Sequence, residues 1–438
     1  MGTLTPAQVN VRILLALAIV IVASRLAGLA ISKIGQPRVH GEILAGILLG
    51  PSLLGHVWPG GLDYAFPAEI VGGLKVLSQL GLVLFMFLIG LELDLDKLRG
   101  HGHRAVVISH ASIIAPMLLG IGLGAWLYPR LGEGVDRLGF TLFLGAAMAI
   151  TAFPVLARVL QETGLNRTRI GVLTITCAAV DDVTAWCLLA VVVAIVNSAG
   201  AADAVRIVAL SLVFLAAMLT VVKPALRRVP TFPLWAAVAL ALVGAWVTEQ
   251  IGIHAIFGAF MAGAVMPRRE DVRHEIFDRL ETPTLTFLLP VFFVVVGLAT
   301  RVDLLDTAYL WGITALVILI AIAGKWGGSM LAARAVGEKW RDAATIGILM
   351  NTRGLTELVI LSVGLELGVI SPTLFTIMVL MALTTTLMAT PMLALVSPLY
   401  HRGQTSAAGV GEGLEDGRLV PPTTPAPVDG DVEHVLLD

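Results

Sequence analysis

Two adjacent carboxylates stand in the middle of an apolar run. Asp181 and Asp182, in Thr174-Ile-Thr-Cys-Ala-Ala-Val-Asp-Asp-Val-Thr-Ala-Trp-Cys-Leu-Leu-Ala190, lie about 13 residues from either end of their block. A charge at the centre of a membrane helix costs roughly 2.5–3.5 kcal/mol on insertion scales, so acids there face protein or water and usually have a task. Successive residues turn by about 100° around a helix, so the two carboxylates cannot both face one spot. One is expected to meet a basic partner and the other to line a cavity. Lys325, in Ile322-Ala-Gly-Lys-Trp-Gly-Gly328, is about ten residues from the end of its block, too deep for its stem to snorkel easily. A buried ammonium is stable beside an anion such as Asp181. Arg353 cannot deprotonate, and Glu357, four residues on, shares its helical face; that pair is expected to support the core rather than to bind an ion. A carboxylate in a narrow cavity can hold either a proton or a dehydrated monovalent cation, and competition between the two is exchange. Oxygen ligands suit hard cations.

These residues need elements that bury them. The chain has 438 residues, of which 57% are hydrophobic and 14% charged, against about 45–50% and about 25% in soluble domains. That excludes a soluble enzyme. The apolar residues come in blocks of about 20, the length a helix needs to cross ~30 Å of hydrocarbon. Such blocks fall at 11–31, 38–54, 72–91, 105–128, 139–160, 168–196, 204–224, 232–250, 252–267, 284–300, 308–335, 342–366 and 373–396, thirteen in all. The first is read as a span rather than a cleavable leader, because it is long and lacks a small-residue cleavage site. A net charge of −2 with mixed signs offers nothing to nucleic acid, and two cysteines, Cys177 and Cys187, make no disulfide scaffold. The stretch 399–438 is rich in Gly, Pro and Thr and is expected to be a disordered tail.

Alternate loops differ in charge. One set holds Lys97, Arg99, Arg104, Arg227, Arg228 and Arg279 among many others, the opposite set only Arg12, Lys75, Arg130, Arg137, Arg206 and Arg301. By the positive-inside rule the N-terminus is expected outside and the C-terminus in the cytoplasm of a multi-pass cell-membrane protein. Residues 268–282 alternate charges with Val272, Ile276, Phe277 and Leu280, which reads as an amphipathic surface helix. Glu42 and Glu92 fall near span ends, where they can touch interfacial water, and His254, also near a span end, reads as a satisfied polar residue.

The blocks repeat. Gly41-Glu-Ile-Leu-Ala-Gly46-Ile-Leu-Leu-Gly-Pro51 in the second is echoed by Gly258-Ala-Phe-Met-Ala-Gly263-Ala-Val-Met-Pro267 in the ninth. Leu84-Phe-Met-Phe-Leu-Ile-Gly90-Leu91 in the third is echoed by Val291-Phe-Phe-Val-Val-Val-Gly297-Leu298 in the tenth. Matched spans lie seven apart and so cross in opposite directions, an inverted-topology repeat. The same register pairs the fifth span, interrupted at Thr151-Ala-Phe-Pro154, with the twelfth, interrupted at Asn351-Thr-Arg-Gly354. Proline removes an amide and breaks a helix, and two broken helices aim freed backbone groups at a buried site.

With Gln36-Pro37-x-x-x-Gly41-Glu42, Phe87-Leu-Ile-Gly90-Leu-Glu92, the acid pair, Gly324-Lys325 and Asn351-Thr-Arg-Gly354-Leu-Thr-Glu357, residues 9–398 resemble the Kef-type and sodium/proton-exchanger superfamily of monovalent cation/proton antiporters. The resemblance implies an all-α polytopic fold of about thirteen transmembrane helices with two crossed discontinuous helices, a dimerisation domain and a six-helix core, a homodimer and elevator-like alternating access. It implies a transmembrane domain over 1–398, with repeat one at 9–197, a linker helix at 203–228 and repeat two at 231–398. It also implies that Asp182 is the cation and proton carboxylate, that Asp181 is the partner of Lys325, and that Thr151 is a polar group of the broken helix. Asn351, Arg353 and Glu357 are read as polar support, and Lys325 as a proton-coupled partner whose own proton would make exchange electrogenic, the alternative being that Lys325 only holds the fold together. Members of the superfamily that move potassium or work electroneutrally often carry Asn or Gln at the first acid position, from which this chain departs. The substrates implied are H⁺ and Na⁺, Li⁺ or K⁺, in lipid, with no cofactor, no resident metal and no catalysis of a reaction. A sodium-coupled organic-solute symporter on a related fold is the alternative. An intramembrane aspartyl protease needs acids on different helices, whereas these are neighbours on one.

Overall fold

The computed structural model describes residues 5–33, 36, 38–92, 103–132, 134–162, 165, 168–198, 201–229, 232–267 and 269–396. The 399–438 stretch lies outside them. Every regular element among the described residues is helical: α1 (Pro6–Ser32), α2 (Arg38–Leu49), α3 (Ala68–Glu92), α4 (His103–Leu131), α5 (Arg137–Ala149), α6 (Phe153–Glu162), α7 (Arg169–Asn197), α8 (Ala201–Ala217), α9 (Leu234–Ile251), α10 (Ala255–Ala264), α11 (Glu270–Pro283), α12 (Leu289–Ala299), α13 (Ala308–Ile322), α14 (Gly328–Ala335), α15 (Trp340–Met350), α16 (Leu355–Glu366), α17 (Pro372–Leu387) and α18 (Ala389–Val396), with shorter turns between. Nine helices among the described residues are long and apolar enough to cross a bilayer. The other four apolar blocks are the short α2 and α10 and the interrupted pairs α5/α6 and α15/α16.

Starts are set by side-chain caps. Asp136 accepts the Gly139 amide at 2.7 Å, Thr168 caps α7 through the Gly171 amide, and Ser371 followed by Pro372 opens α17. These groups satisfy amides that have no partner inside the helix. At the end of α9 the chain turns through Gly252, whose φ of 100° only glycine adopts freely.

The amphipathic helix expected at 268–282 is present as α11, with Glu275 and Arg279 exposed, and it runs through a π turn at Thr284–Leu288 straight into α12. Its Val272, Ile276 and Leu280 pack against the core instead of a lipid surface. The π turn lies between Pro283 and Pro290, each of which withholds an amide, and the locally widened helix carries the chain past both without a break.

Glycines make the repeat visible as contacts. A Cβ on Gly46 would lie 2.8 Å from the Val294 Cα and one on Gly263 2.1 Å from the Phe87 carbonyl, so α2 presses on α12 just as α10 presses on α3. Exchanging the second span with the ninth and the third with the tenth converts one contact into the other. The rule extends outward: Gly41 abuts Gly28 of α1, and its counterpart Gly258 abuts Gly244 of α9.

Two groups of helices result. α1, α2, α3, α9, α10 and α12 pack together; α4, α5, α6, α7 and α13–α18 form the other group, and α8 touches both through α7 and α9. Where the groups meet, much of the contact is apolar, as in the edge-on pair Trp186–Phe257, with hydrogen bonds such as Gln36 to the Leu387 carbonyl and the Arg301 amide to Thr376 also crossing. The second group is tied at one end by Glu338, which is 1% exposed and bonded to Arg104 and Arg169, while Arg334 donates to its carbonyl at 3.2 Å.

Replacing Gly46 or Gly263 by Val is expected to cost about 1–3 kcal/mol through overpacking and to lower the melting temperature in detergent. Gly72→Ala, where nothing lies within 4 Å, should leave it unchanged or raise it. The hydrogen bond from Arg169 and the charge of both arginines hold the Glu338 carboxyl below its ordinary value of 4.5. Its contribution to stability is therefore present above that value and fades as pH falls through the lowered one. The difference in melting temperature between wild type and Glu338→Gln should shrink as pH is taken below 4.5.

Candidate functional site

The two interrupted spans meet at their breaks. α5 ends where Ile150 turns extended and α6 begins at Phe153; α15 ends at Asn351 and α16 begins after Gly354. Pro154 is the second residue of α6, a position where a missing amide costs nothing. The Ala152 amide donates to the Thr352 carbonyl at 3.2 Å, joining the two breaks directly. A Cβ on Gly354 would lie 2.6 Å from the Val155 side chain, so the second break needs glycine for this approach. Thr386 of α17 holds the second break from behind, accepting from the Arg353 amide at 2.8 Å and donating to its carbonyl at 2.7 Å.

Asp181 is fully buried and has four donors. Ser109 and Ser112 of α4 donate at 2.5 and 2.6 Å, Thr151 at 2.9 Å, and the Lys325 ammonium stands 3.3 Å away. Lys325 lies in a π turn, Ala323–Gly327, between α13 and α14, and also donates to the carbonyls of Ser112 (2.8 Å) and Ala149 (2.5 Å). Its three protons are thus used. Asp182 points elsewhere, toward the backbone at the start of α6, and its Oδ1 has no protein partner. Thr151, which also donates to the Met350 carbonyl at 3.4 Å, is engaged with Asp181.

Arg353 does more than pair with Glu357. One nitrogen lies 3.0 Å from Glu357 Oε1, and the guanidinium also donates to the Ala147 and Met148 carbonyls at 3.3 and 2.8 Å. Together with Lys325 on Ala149 it covers the last three carbonyls of α5. Asn351 is 2% exposed with its Oδ1 unpartnered. Asp181, Asp182, Lys325, Asn351, Arg353, Glu357 and Thr151 therefore gather around one helix crossing.

Glu92 is exposed at the end of α3, and its carbonyl accepts from Arg273 at 3.3 Å. His254 caps α10 with a positive φ of 75° and sits 3.8 Å from Glu366. It opens onto a cavity of about 390 Å³ between the two helix groups, with Lys75, Gln79, Ser362 and Glu366 in its wall. Sequence reasoning passed over Ser109 and Ser112; the signal was two hydroxyls at i and i+3 in an apolar block four residues before a proline. It also passed over Thr386, which nothing in the chain distinguishes from its neighbours Thr384 and Thr385.

Two interrupted helices crossing inside an inverted repeat, with ionisable groups at the crossing, define a secondary transporter. The chain matches the family described as sodium/hydrogen exchanger, transmembrane, over residues 16–397, and belongs to it. It is 42% identical over 392 residues to the Na⁺/H⁺ antiporter NhaS4 of Synechocystis, covering 87% of this chain and 96% of the other. It is 38% identical to the cation/H⁺ antiporter 19 of Arabidopsis thaliana over 89% of this chain, spanning about half (50%) of that longer protein. The structure of the sodium proton antiporter MjNhaP1 from Methanocaldococcus jannaschii superposes with a TM-score of 0.59 at 15% identity, covering 89% of this chain and 98% of that one, which is likeness of fold.

Removing one partner of a buried pair costs about 3–5 kcal/mol. Arg353→Ala should therefore lower the melting temperature strongly, and more than Glu357→Gln, because it also strands two carbonyls. Arg353→Lys should not restore it, since a point cation lacks the planar fork that reaches Glu357 and two carbonyls together. Thermal unfolding of the three purified variants checks the order.

Proposed function

We propose that this chain is a membrane antiporter that exchanges protons for a monovalent cation at Asp182. The observation that carries the reading is a charge imbalance. At the crossing stand three buried acids, Asp181, Asp182 and Glu357, and two buried bases, Lys325 and Arg353. One carboxylate is uncompensated: Asp181 faces Lys325 and Glu357 faces Arg353, which leaves Asp182, whose Oδ1 has no hydrogen-bond partner. A proton or one monovalent cation supplies the missing charge, and either makes the loaded site neutral enough to cross an apolar barrier. Competition for one carboxylate is antiport.

Alternating access is supported by the apolar seam between the helix groups, along which the crossing can move relative to α1–α3, α9, α10 and α12. The positive-inside bias supports an outside N-terminus and a cytoplasmic C-terminus in the cell membrane. The family supports a homodimer. Asn351 Oδ1, Thr356 Oγ1 and Glu357 Oε2 are further unpartnered buried oxygens near the second break, of the hard type that suits Na⁺, Li⁺ or K⁺. Lys325 is assigned a second exchanged proton, so that net charge moves and the rate responds to potential at ~2.3 kcal/mol per charge per 100 mV.

In proteoliposomes carrying a pH-sensitive dye, Na⁺, Li⁺ or K⁺ added singly should drive proton movement by the wild type. A valinomycin-imposed potential should change its rate. Asp182→Asn, nearly isosteric but unable to carry charge or proton, should reduce exchange to the level of empty vesicles. Substantial exchange by a monodisperse Asp182→Asn protein overturns the assignment.

A further inference from the structure

The ligands of the Lys325 ammonium are mostly not charged. Its contact with Asp181, at 3.3 Å, is the longest of the three; the carbonyls of Ser112 and Ala149 stand at 2.8 and 2.5 Å. Carbonyls inside helices ordinarily accept the amide four residues on, so both of these must have been released. Ala149 is released by the break, since α5 ends at this residue, Ile150 is extended and Phe153 already opens the next helix. Ser112 is released differently: the residue four positions on is Pro116, inside α4, which has no N–H.

Pro116 is also where the lysine's own helix leans. A Cβ on Gly324 would lie 2.8 Å from the Pro116 Cα, so the residue before Lys325 packs against the proline backbone. The π turn at Ala323–Gly327 brings the lysine stem off that contact toward α4. Ser112 then serves the ion pair twice, its carbonyl accepting from the ammonium and its hydroxyl donating to Asp181 at 2.6 Å. Asp181 meanwhile has three hydroxyl donors independent of the lysine. Neither partner is held in place by the other alone.

We propose that Pro116 is a positioning residue for the exchange reaction: by withholding an amide it dedicates the Ser112 carbonyl to the Lys325 ammonium and fixes the lysine beside Asp181 whichever ion occupies Asp182. Its target is a proton site, so the consequence is felt in the pH dependence and not only in packing. In Pro116→Ala the restored amide at position 116 reclaims the Ser112 carbonyl for the helix. The ammonium is left with one carbonyl and the longer contact to Asp181. A proline in a helix interior costs stability, so the variant should fold at least as well as the wild type.

The inference rests on the antiporter reading, and the test separates the two. Wild type, Pro116→Ala, Lys325→Gln and the double variant are reconstituted, and cation-driven proton movement is followed from pH 5.5 to 9. Pro116→Ala is expected to be monodisperse, to melt at or above the wild-type temperature, and to show a pH profile displaced by at least half a unit. The concentration of Na⁺, Li⁺ or K⁺ giving half of the full thermal stabilisation, measured on the same four proteins in detergent, is expected to change at least threefold between wild type and Pro116→Ala. Between Lys325→Gln and the double variant it should not change, and this arm needs no transport. A second substitution, Gly324→Ala, which pushes the lysine helix off Pro116, should displace the profile as Pro116→Ala does. If the wild type moves no protons with any cation, the antiporter reading falls. If the wild type exchanges but Pro116→Ala superimposes on it in both measurements, or if the change persists undiminished in the Lys325→Gln background, the proline is only a kink and the inference is overturned.

Discussion

The last three carbonyls of α5 are the constraint from which the rest of the architecture follows. A helix that stops inside a membrane leaves carbonyls unbonded, with no water to take them, and its C-terminal end carries partial negative charge. Here Arg353 covers Ala147 and Met148, and Lys325 covers Ala149. Both cations come from the other repeat, one from the break of its discontinuous helix and one from a π turn. The interruption of α5 can exist only because those cations are present, and the cations can be buried only because carbonyls and acids surround them. Each half of the crossing is thus a condition for the other.

The same mutual dependence appears in the apolar half of the molecule without charge. α2 and α10 are too short to bury themselves, and each is pressed onto a long helix of the opposite repeat through glycine, Gly46 on α12 and Gly263 on α3. Backbone approach at these points is close enough that any side chain would part the helices. Under the proposed alternating access, a rigid group so formed is what the crossing would move against, along a largely apolar seam crossed by few hydrogen bonds. Rigidity within groups and weak bonding between them are what alternating access requires.

How much of this was legible in the sequence depended on range. The apolar blocks, the acid pair and the buried lysine are local signals of length and hydropathy, and the repeat is a comparison of the chain with itself. The breaks could be located because Pro154 and Asn351 to Gly354 carry their own chemistry. The contacts of Arg353 with carbonyls some 200 residues away could not, because a guanidinium's i+4 neighbour is a local fact and its distant acceptors are a property of the fold. Backbone acceptors carry no residue identity, so no pattern in the chain marks Ala147 or Met148. That α11 continues into α12 was not legible for a related reason: helix continuity is decided by whether the following prolines can be accommodated, and a π turn accommodates them. Ser109 and Ser112 were in view as hydroxyls, yet hydroxyls in membrane helices commonly bond their own backbone, as Thr174 does at 2.7 Å, so their type alone did not mark them.

Charge conservation at the crossing links geometry to stoichiometry. With a proton on Asp182 and Lys325 charged, the five groups sum to zero. With a monovalent cation on Asp182 and Lys325 still charged, they also sum to zero, and exchange of one for one moves no charge. If Lys325 gives up its proton as the cation arrives, the cation-loaded site carries −1 instead, and two protons are exchanged for one cation across the potential. Asp182 is identical in the two cases. The difference lies in what holds the ammonium: Asp181, 3.3 Å away, favours the charged lysine through its own negative charge, and it keeps its three hydroxyl donors whether or not the lysine is charged. The carbonyls of Ser112 and Ala149 favour the ammonium as well, because a charged donor bonds them more strongly than the two N–H groups of a neutral amine would. Under the proposed exchange at Asp182, the number of protons moved per cycle then depends on what surrounds Lys325, namely Asp181 and two backbone acceptors, one freed by a helix break and the other by a proline.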